Sequence, residues 1–433
     1  MLTFGAITLF VRERSFGAGY PQLDLLELEQ LRPLAALLRL AGVMVFVVAL
    51  CAGFLGVQDA YRNFITPMVW VLWWVGFAFV CALLGNLWAL ANPLSTIFMC
   101  AERLHAALTG SAFSRNLPYP ASLGAWPAVV LFLGFAWAEL VWRDKDVPAY
   151  LARALLGYAS LTWIGMFLYG REPWLKNGEA FSVAFGVLAR FAPLQASQGR
   201  LVLRPPGAGL ITDQPLRFPF LVFVLLMLAS VTFDGFQETP LNQRLNTAVQ
   251  GSRAIASLLF ELSELGFDES QLVATAELLA FPLVFLAAFL LTSRAMKASA
   301  PTPLGVTEVA CAFVLTLVPI AVAYHLAHYF SLLLTAGQFM IPLASDPLGF
   351  GWNLFGSAKY KVDLGIVSPY VFWYGAVIII VVGHVIAVVL AHVAALRVFG
   401  GRQGALVSQL PMMALMVAYT TLSLWILAQP IVR

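Results

Sequence analysis

The feature that most constrains this chain is the recurrence of apolar runs about as long as a bilayer is thick. A hydrocarbon core of about 30 Å takes roughly 20 helical residues to cross, at about 1.5 Å each. Nine segments meet that length or come near it: Leu40–Val57, Ile65–Leu90, Ala125–Trp142, Val147–Tyr169, Phe218–Phe233, Leu272–Leu291, Val306–Leu334, Val371–Val398 and Leu410–Leu427. The 433 residues are 61% hydrophobic and only 11% charged, with a mean hydropathy of +0.85. Soluble domains are roughly half apolar and a quarter charged, so no large soluble enzyme domain fits here. The expectation is an all-α fold, a polytopic integral membrane helix bundle of about nine transmembrane helices embedded in the lipid bilayer. Residues 1–39 read as an N-terminal cytoplasmic or interfacial segment, and residues 40–433 as one transmembrane domain.

Two shorter stretches stand apart from the spans. Ala180–Leu194 is brief and ends in Arg190 and a Pro-containing breaker, which suits an interfacial or re-entrant helix. Arg244–Leu265 carries Leu245, Ala248, Ile255, Leu258, Leu259, Leu262 and Leu265 at helical spacing with polar residues between, the pattern of an external amphipathic helix on the surface. The net charge of +3 comes from scattered basic residues and gives nucleic acid no basic face to bind. Cys51, Cys81, Cys100 and Cys311 lie in or beside apolar segments without CxxC or CxxCH spacing, and read as packed thiols. The opening MLTFGAITLFVRER places its basic end after its apolar part, the reverse of a signal peptide, so the spans are expected to direct insertion.

Lys and Arg prefer cytoplasmic loops. With nine spans, the side that carries the N-terminus, Arg12, Arg14, Arg103, Arg171, Lys176 and Arg294 holds most of the 25 basic residues. The N-terminus is therefore expected in the cytoplasm and the C-terminus outside, with the loops DGFQETPLNQR and IPLASDPLGFGWNLFGSAKYKVD external.

Ionisable groups at membrane depth are expensive, and each is a functional hypothesis. His325 and His328 sit at i, i+3 in AYHLAHYF, on one helix face, as a pair of metal ligands requires. By helical rise they lie roughly 8 to 12 Å to the outer side of mid-membrane, His384 lies near the middle, and His392 roughly 12 Å to the inner side. A cluster of His325, His328 and His384 is feasible, and His392 is excluded from it. Glu139, Asp234 and Glu238 reach similar outer depth, and Asp346 in SDPLGFGW can fold back over them. Mixed imidazole and carboxylate ligands suit a divalent transition metal, Zn, Mn, Fe or Co, which would generate hydroxide near neutral pH. The metal set is then His325, His328, Asp234, Glu139 and His384, with Glu238 and Asp346 assisting proton transfer.

Plainer readings compete at each position. Buried histidines and carboxylates between membrane helices often only hydrogen-bond their neighbours, and His325 with His328 also suits haem b ligation. Asp234 reads equally as the end of its span, with Gly235 as the stop. Glu139, followed by Trp142, Arg143 and Lys145, reads also as a snorkelling or ion-paired boundary residue. Trp70, Trp73, Trp74 and Trp88 look like belt or packing residues, and Gly349, Gly351 and Gly356 like turn residues without a Walker pattern.

Several stretches carry a resemblance: LGVQDAYRNF, VWVLWWVGFAFVCALLGNLWALANPLSTIF, LPYPASLGAWPAVVLFLGFAWAELVW, GREPWLKNGEAFSVAFGVLARFAPL, LRPPGAGL, VTFDGFQETPLN and IPLASDPLGFGWNLFG. From about residue 40 onward the chain resembles a family of bacterial multi-pass membrane proteins known as fenitrothion hydrolase. The resemblance implies a bacterial inner membrane location and hydrolysis of an organophosphorus triester, with P–O cleavage releasing a nitrophenol. A synthetic insecticide cannot be the ancestral substrate, so such an activity would be incidental to another purpose. The resemblance supplies no catalytic set, and the residues above are read from their own chemistry. Two other classes stay open: a membrane metal or haem carrier, for transport or electron transfer, whose histidines form a ladder through the bilayer, and a structural subunit bound to other membrane subunits.

Overall fold

A computed structural model describes residues 22–212 and 216–429. The chain folds almost entirely into helices, and the all-α bundle expected from the apolar runs is what forms. Among the described residues, eight helices are long and apolar enough to cross a membrane. The expected ninth, α3 (Trp126–Leu140), has only 15 residues, a length of about 22 Å. It stops because the amides of both Val141 and Trp142 turn back onto the carbonyl of Trp137, and the chain leaves in a turn. The chain is thus a multi-pass membrane protein whose apolar helices contact lipid.

In chain order, α1 is Arg32–Leu55, α2 is Ile65–Leu84, α3 follows, and α4 is Pro148–Tyr169. Next come α5 (Ala180–Ala189), α6 (Phe218–Gln237), α7 (Glu269–Ser299), α8 (Val306–Ser345), α9 (Pro369–Phe399) and α10 (Arg402–Leu427). The short α5 is no surface helix: Phe181, Val183, Phe185, Val187 and Leu188 are all buried, so it lies inside the bundle. Glu179 starts it by accepting the amides of Phe181 at 3.0 Å and Ser182 at 2.6 Å, which satisfies two of the donors a helix leaves open at its N-terminus.

Around this core, α6 packs against α3 and α7, α8 against α9, and α10 against both α7 and α9. Two local irregularities position the functional residues. Within α2, Met68–Gly76 is wound as a π-helix, a form that recurs at functional sites. Within α8, Val314–Leu317 tightens to a 3-10 turn just before Pro319, whose missing N–H and ring bulk disfavour a continuous α-helix.

Two features depart from the expectation. The amphipathic stretch Arg244–Leu265 forms two helices, Pro240–Gly251 and Arg253–Glu264, because Ser252 adopts an extended conformation between them. A three-stranded antiparallel sheet, ordered Leu23–Glu27, Arg200–Leu203, Leu194–Ser197, was not expected. Its hairpin turns through Gln198 and Gly199, both with positive φ, the backbone that a two-residue turn between twisted strands requires. The four cysteines are free, Cys81 and Cys311 buried, Cys51 and Cys100 exposed rather than packed. Residues 1–21, including Arg12 and Arg14, lie outside the described residues.

Candidate functional site

The site forms where the end of α6 meets the middle of α8. Asp234 is not a helix stop: α6 continues to Gln237, and Gly235 serves a different end. A Cβ at Gly235 would lie 2.6 Å from the Tyr324 hydroxyl and 3.3 Å from Cε1 of His328. Only glycine lets α8 come this close, and the approach brings His328 onto the neighbouring Asp234. His328 Nε2 and Asp234 Oδ2 are 2.9 Å apart, and the Tyr329 hydroxyl donates to the same oxygen at 2.7 Å. Their side chains keep 18% and 25% exposure, so the pair is reachable. Among the described residues, Nδ1 of His328 has no hydrogen-bond partner and is not sealed from the surface.

The other sequence candidates distribute unevenly around this pair. Glu139, near the end of α3, stands within electrostatic reach of Asp234 and Lys145, and beside the Trp74 indole without hydrogen-bonding it. Lys145 folds back to donate to the main-chain carbonyl of Glu139 at 2.5 Å, which caps α3 and brings a cation to the cluster. His325 lies one face away from His328. Its ring meets Trp74, Phe79 and Tyr329, with centroids 5.9, 5.5 and 4.7 Å away. The i, i+3 pair thus diverges, one imidazole facing α2 and the other α6.

His384 pairs elsewhere, its Nδ1 lying 3.0 Å from the Thr420 hydroxyl of α10. His392 is held by the Gln409 amide at 2.9 Å and is buried, a structural bond between α9 and α10. Glu238 caps the C-terminus of α6, just beyond the Asp234 turn. Asp346 folds back on its own loop instead, accepting the amides of Phe350 at 2.9 Å and Gly351 at 2.7 Å. That loop is pinned to the α1–α2 connection, where Val57 donates to the carbonyl of Leu348 at 2.9 Å.

Among the described residues, no three His, Cys, Asp or Glu side chains converge where a metal ion could sit. Asp234 and His328 supply two donors of the right chemistry, short of the three protein ligands usual in catalytic zinc sites. Sequence reasoning missed the tyrosines of the cluster. Tyr324 stacks on His328 with centroids 5.7 Å apart, and Tyr329 fixes Asp234. Their only signal was adjacency, since each directly neighbours a candidate histidine in AYHLAHYF.

No protein-family model matches the chain, and comparison with curated proteins and with solved structures gives no match either.

Proposed function

We propose that this protein is a membrane-embedded hydrolase in which Asp234 and His328 activate water. The reading rests on one observation, the 2.9 Å contact between Asp234 Oδ2 and His328 Nε2 with Nδ1 of the same ring left unbonded. A neutral imidazole that donates Nε2–H to a carboxylate presents its Nδ1 lone pair as a general base. Asp234 holds the tautomer and stabilises the imidazolium that forms when water loses its proton. Tyr329 orients Asp234 by donating to it. Glu139 and Lys145 lie within electrostatic reach of Asp234.

The resemblance noted above adds the substrate class, an organophosphorus triester with a nitrophenyl leaving group, apolar enough to partition into the bilayer. Water attacks phosphorus, its proton passes to His328, and the nitrophenolate leaves. The hydrolysis of such a synthetic ester would be incidental to a natural ester of similar polarity. No step of this chemistry runs through a metal; Zn, Mn, Fe or Co at the same two side chains is the alternative way to activate water. The proposed setting is a bacterial inner membrane with the N-terminus in the cytoplasm and the short α3 also crossing, which together put the cluster toward the outer side.

The test is nitrophenol release by the purified full chain in detergent. The expected result is turnover that persists with a chelator present and falls about 100-fold or more in His328→Gln. Turnover lost to the chelator would move the chemistry to a metal. Turnover unchanged in His328→Gln would reject the site.

A further inference from the structure

Behind the Asp234–His328 pair, deeper in the bundle, lies a cavity of about 20 Å³ bounded by Trp74, Phe132, Tyr324, His325 and Tyr419. A cavity needs roughly 10–15 Å³ of such space to hold one water. This one is too small for any organic ligand. Three of the residues that line it each carry a buried polar atom without a hydrogen-bond partner: Trp74 Nε1, Tyr324 Oη and His325 Nε2. Their residues are 3%, 1% and 7% exposed, so bulk solvent does not reach them. Leaving a donor or acceptor unpaired in such surroundings costs about 1–3 kcal/mol each, which makes three around one void an improbable design for an empty space.

We propose that this cavity is a built site for a single water molecule bridging Trp74, Tyr324 and His325. The chemistry of the three groups matches one water. Trp74 Nε1–H can only donate, so the water accepts from it. The His325 ring faces the main-chain carbonyl of Val75, in the π-helical part of α2. Nε2 is the unpartnered nitrogen, and it accepts from the water or donates to it according to the tautomer. Tyr324 Oη, able to donate or accept, takes the third bond. Buried waters typically make about three hydrogen bonds, the number offered here. The π-helical winding and the paired histidines then have distinct purposes: His328 serves the reachable face of α8, and His325 anchors a water between α8 and α2. The inference stands whether or not the hydrolytic reading does.

The first test is a high-resolution map of the detergent-solubilised full chain. The site predicts a single density peak at about 2.7–3.2 Å from all three atoms; an empty cavity in a map that resolves other buried waters overturns it. The second is thermal unfolding of two variants. With water present, Tyr324→Phe removes one of its three partners, and Ala321→Val on the cavity wall displaces it and strands the three polar atoms. Both then lower the unfolding midpoint by a few degrees. In a dry cavity Tyr324→Phe deletes an unsatisfied hydroxyl and Ala321→Val fills a void, so both raise the midpoint, which refutes the proposal.

Discussion

Gly235 and Tyr324 meet where α6 approaches α8, with room for a hydrogen but not a methyl: an added Cβ would sit 2.6 Å from the tyrosine hydroxyl. The contact explains why an acidic residue, a glycine and the YHLAHY run form one site despite lying some ninety positions apart. Gly235→Ala must push α8 outward, and the Asp234–His328 contact goes with it. The expected cost is about 1–3 kcal/mol of stability, together with a loss of turnover at least as large as that of His328→Gln. Thermal unfolding and nitrophenol release measure the two effects.

Tyr329→Phe tests whether Asp234 needs its second donor. The ring packing survives and one charge-assisted hydrogen bond is lost, worth about 1.5–3 kcal/mol. Turnover should fall about tenfold while Phe replacement at Tyr158, in another part of the bundle, leaves it unchanged.

Glu179 is completely buried, caps α5 and accepts the Tyr158 hydroxyl. Glu179→Ala strands two helix amides and a phenol at once and should cost about 2–4 kcal/mol. Glu179→Gln retains part of the capping and should cost less. Differential scanning fluorimetry in detergent orders the three proteins.

Asp268 caps α7 at the protein surface, accepting from Ser270 at 2.6 Å and from the amide of Gln271 at 2.9 Å, and pairing with Arg143 at 2.5 Å. The Ser270 hydroxyl, then the Gln271 amide, and to a lesser degree Arg143 hold its carboxyl below the usual range against the opposing effect of burial. A depressed carboxylate adds stability that is complete above its unfolded value near pH 4 and is lost as pH falls through the lower folded value. The midpoint difference between wild type and Asp268→Asn should therefore be present at pH 7 and shrink as pH falls below about 4.

What the sequence made legible was whatever depends on one segment at a time. Eight of the nine expected spans appear as long helices because length and apolarity suffice to specify them. Asp234, His328 and Glu139 were found as charges at membrane depth. Features that depend on a second segment were not legible. The roles of Tyr324 and Tyr329 depend on α6, and the divergence of His325 from His328 depends on what each ring meets. The break at Ser252 was hidden because apolar residues continue at helical spacing on both sides of it. The strands Leu194–Ser197 and Arg200–Leu203 are short, and the second of them pairs onward with Leu23–Glu27 at the distant N-terminal end of the described chain, a partner that no local pattern announces.

The central claim is that Asp234 and His328 act as one unit. A double-mutant cycle on nitrophenol release, with Asp234→Asn, His328→Gln and the double variant, tests it directly. The account predicts that the double variant is about as impaired as either single one, a coupling equal to the single loss, about 2.7 kcal/mol or more for a loss of about 100-fold or more. Losses that multiply, with each substitution acting independently of the other, would contradict it.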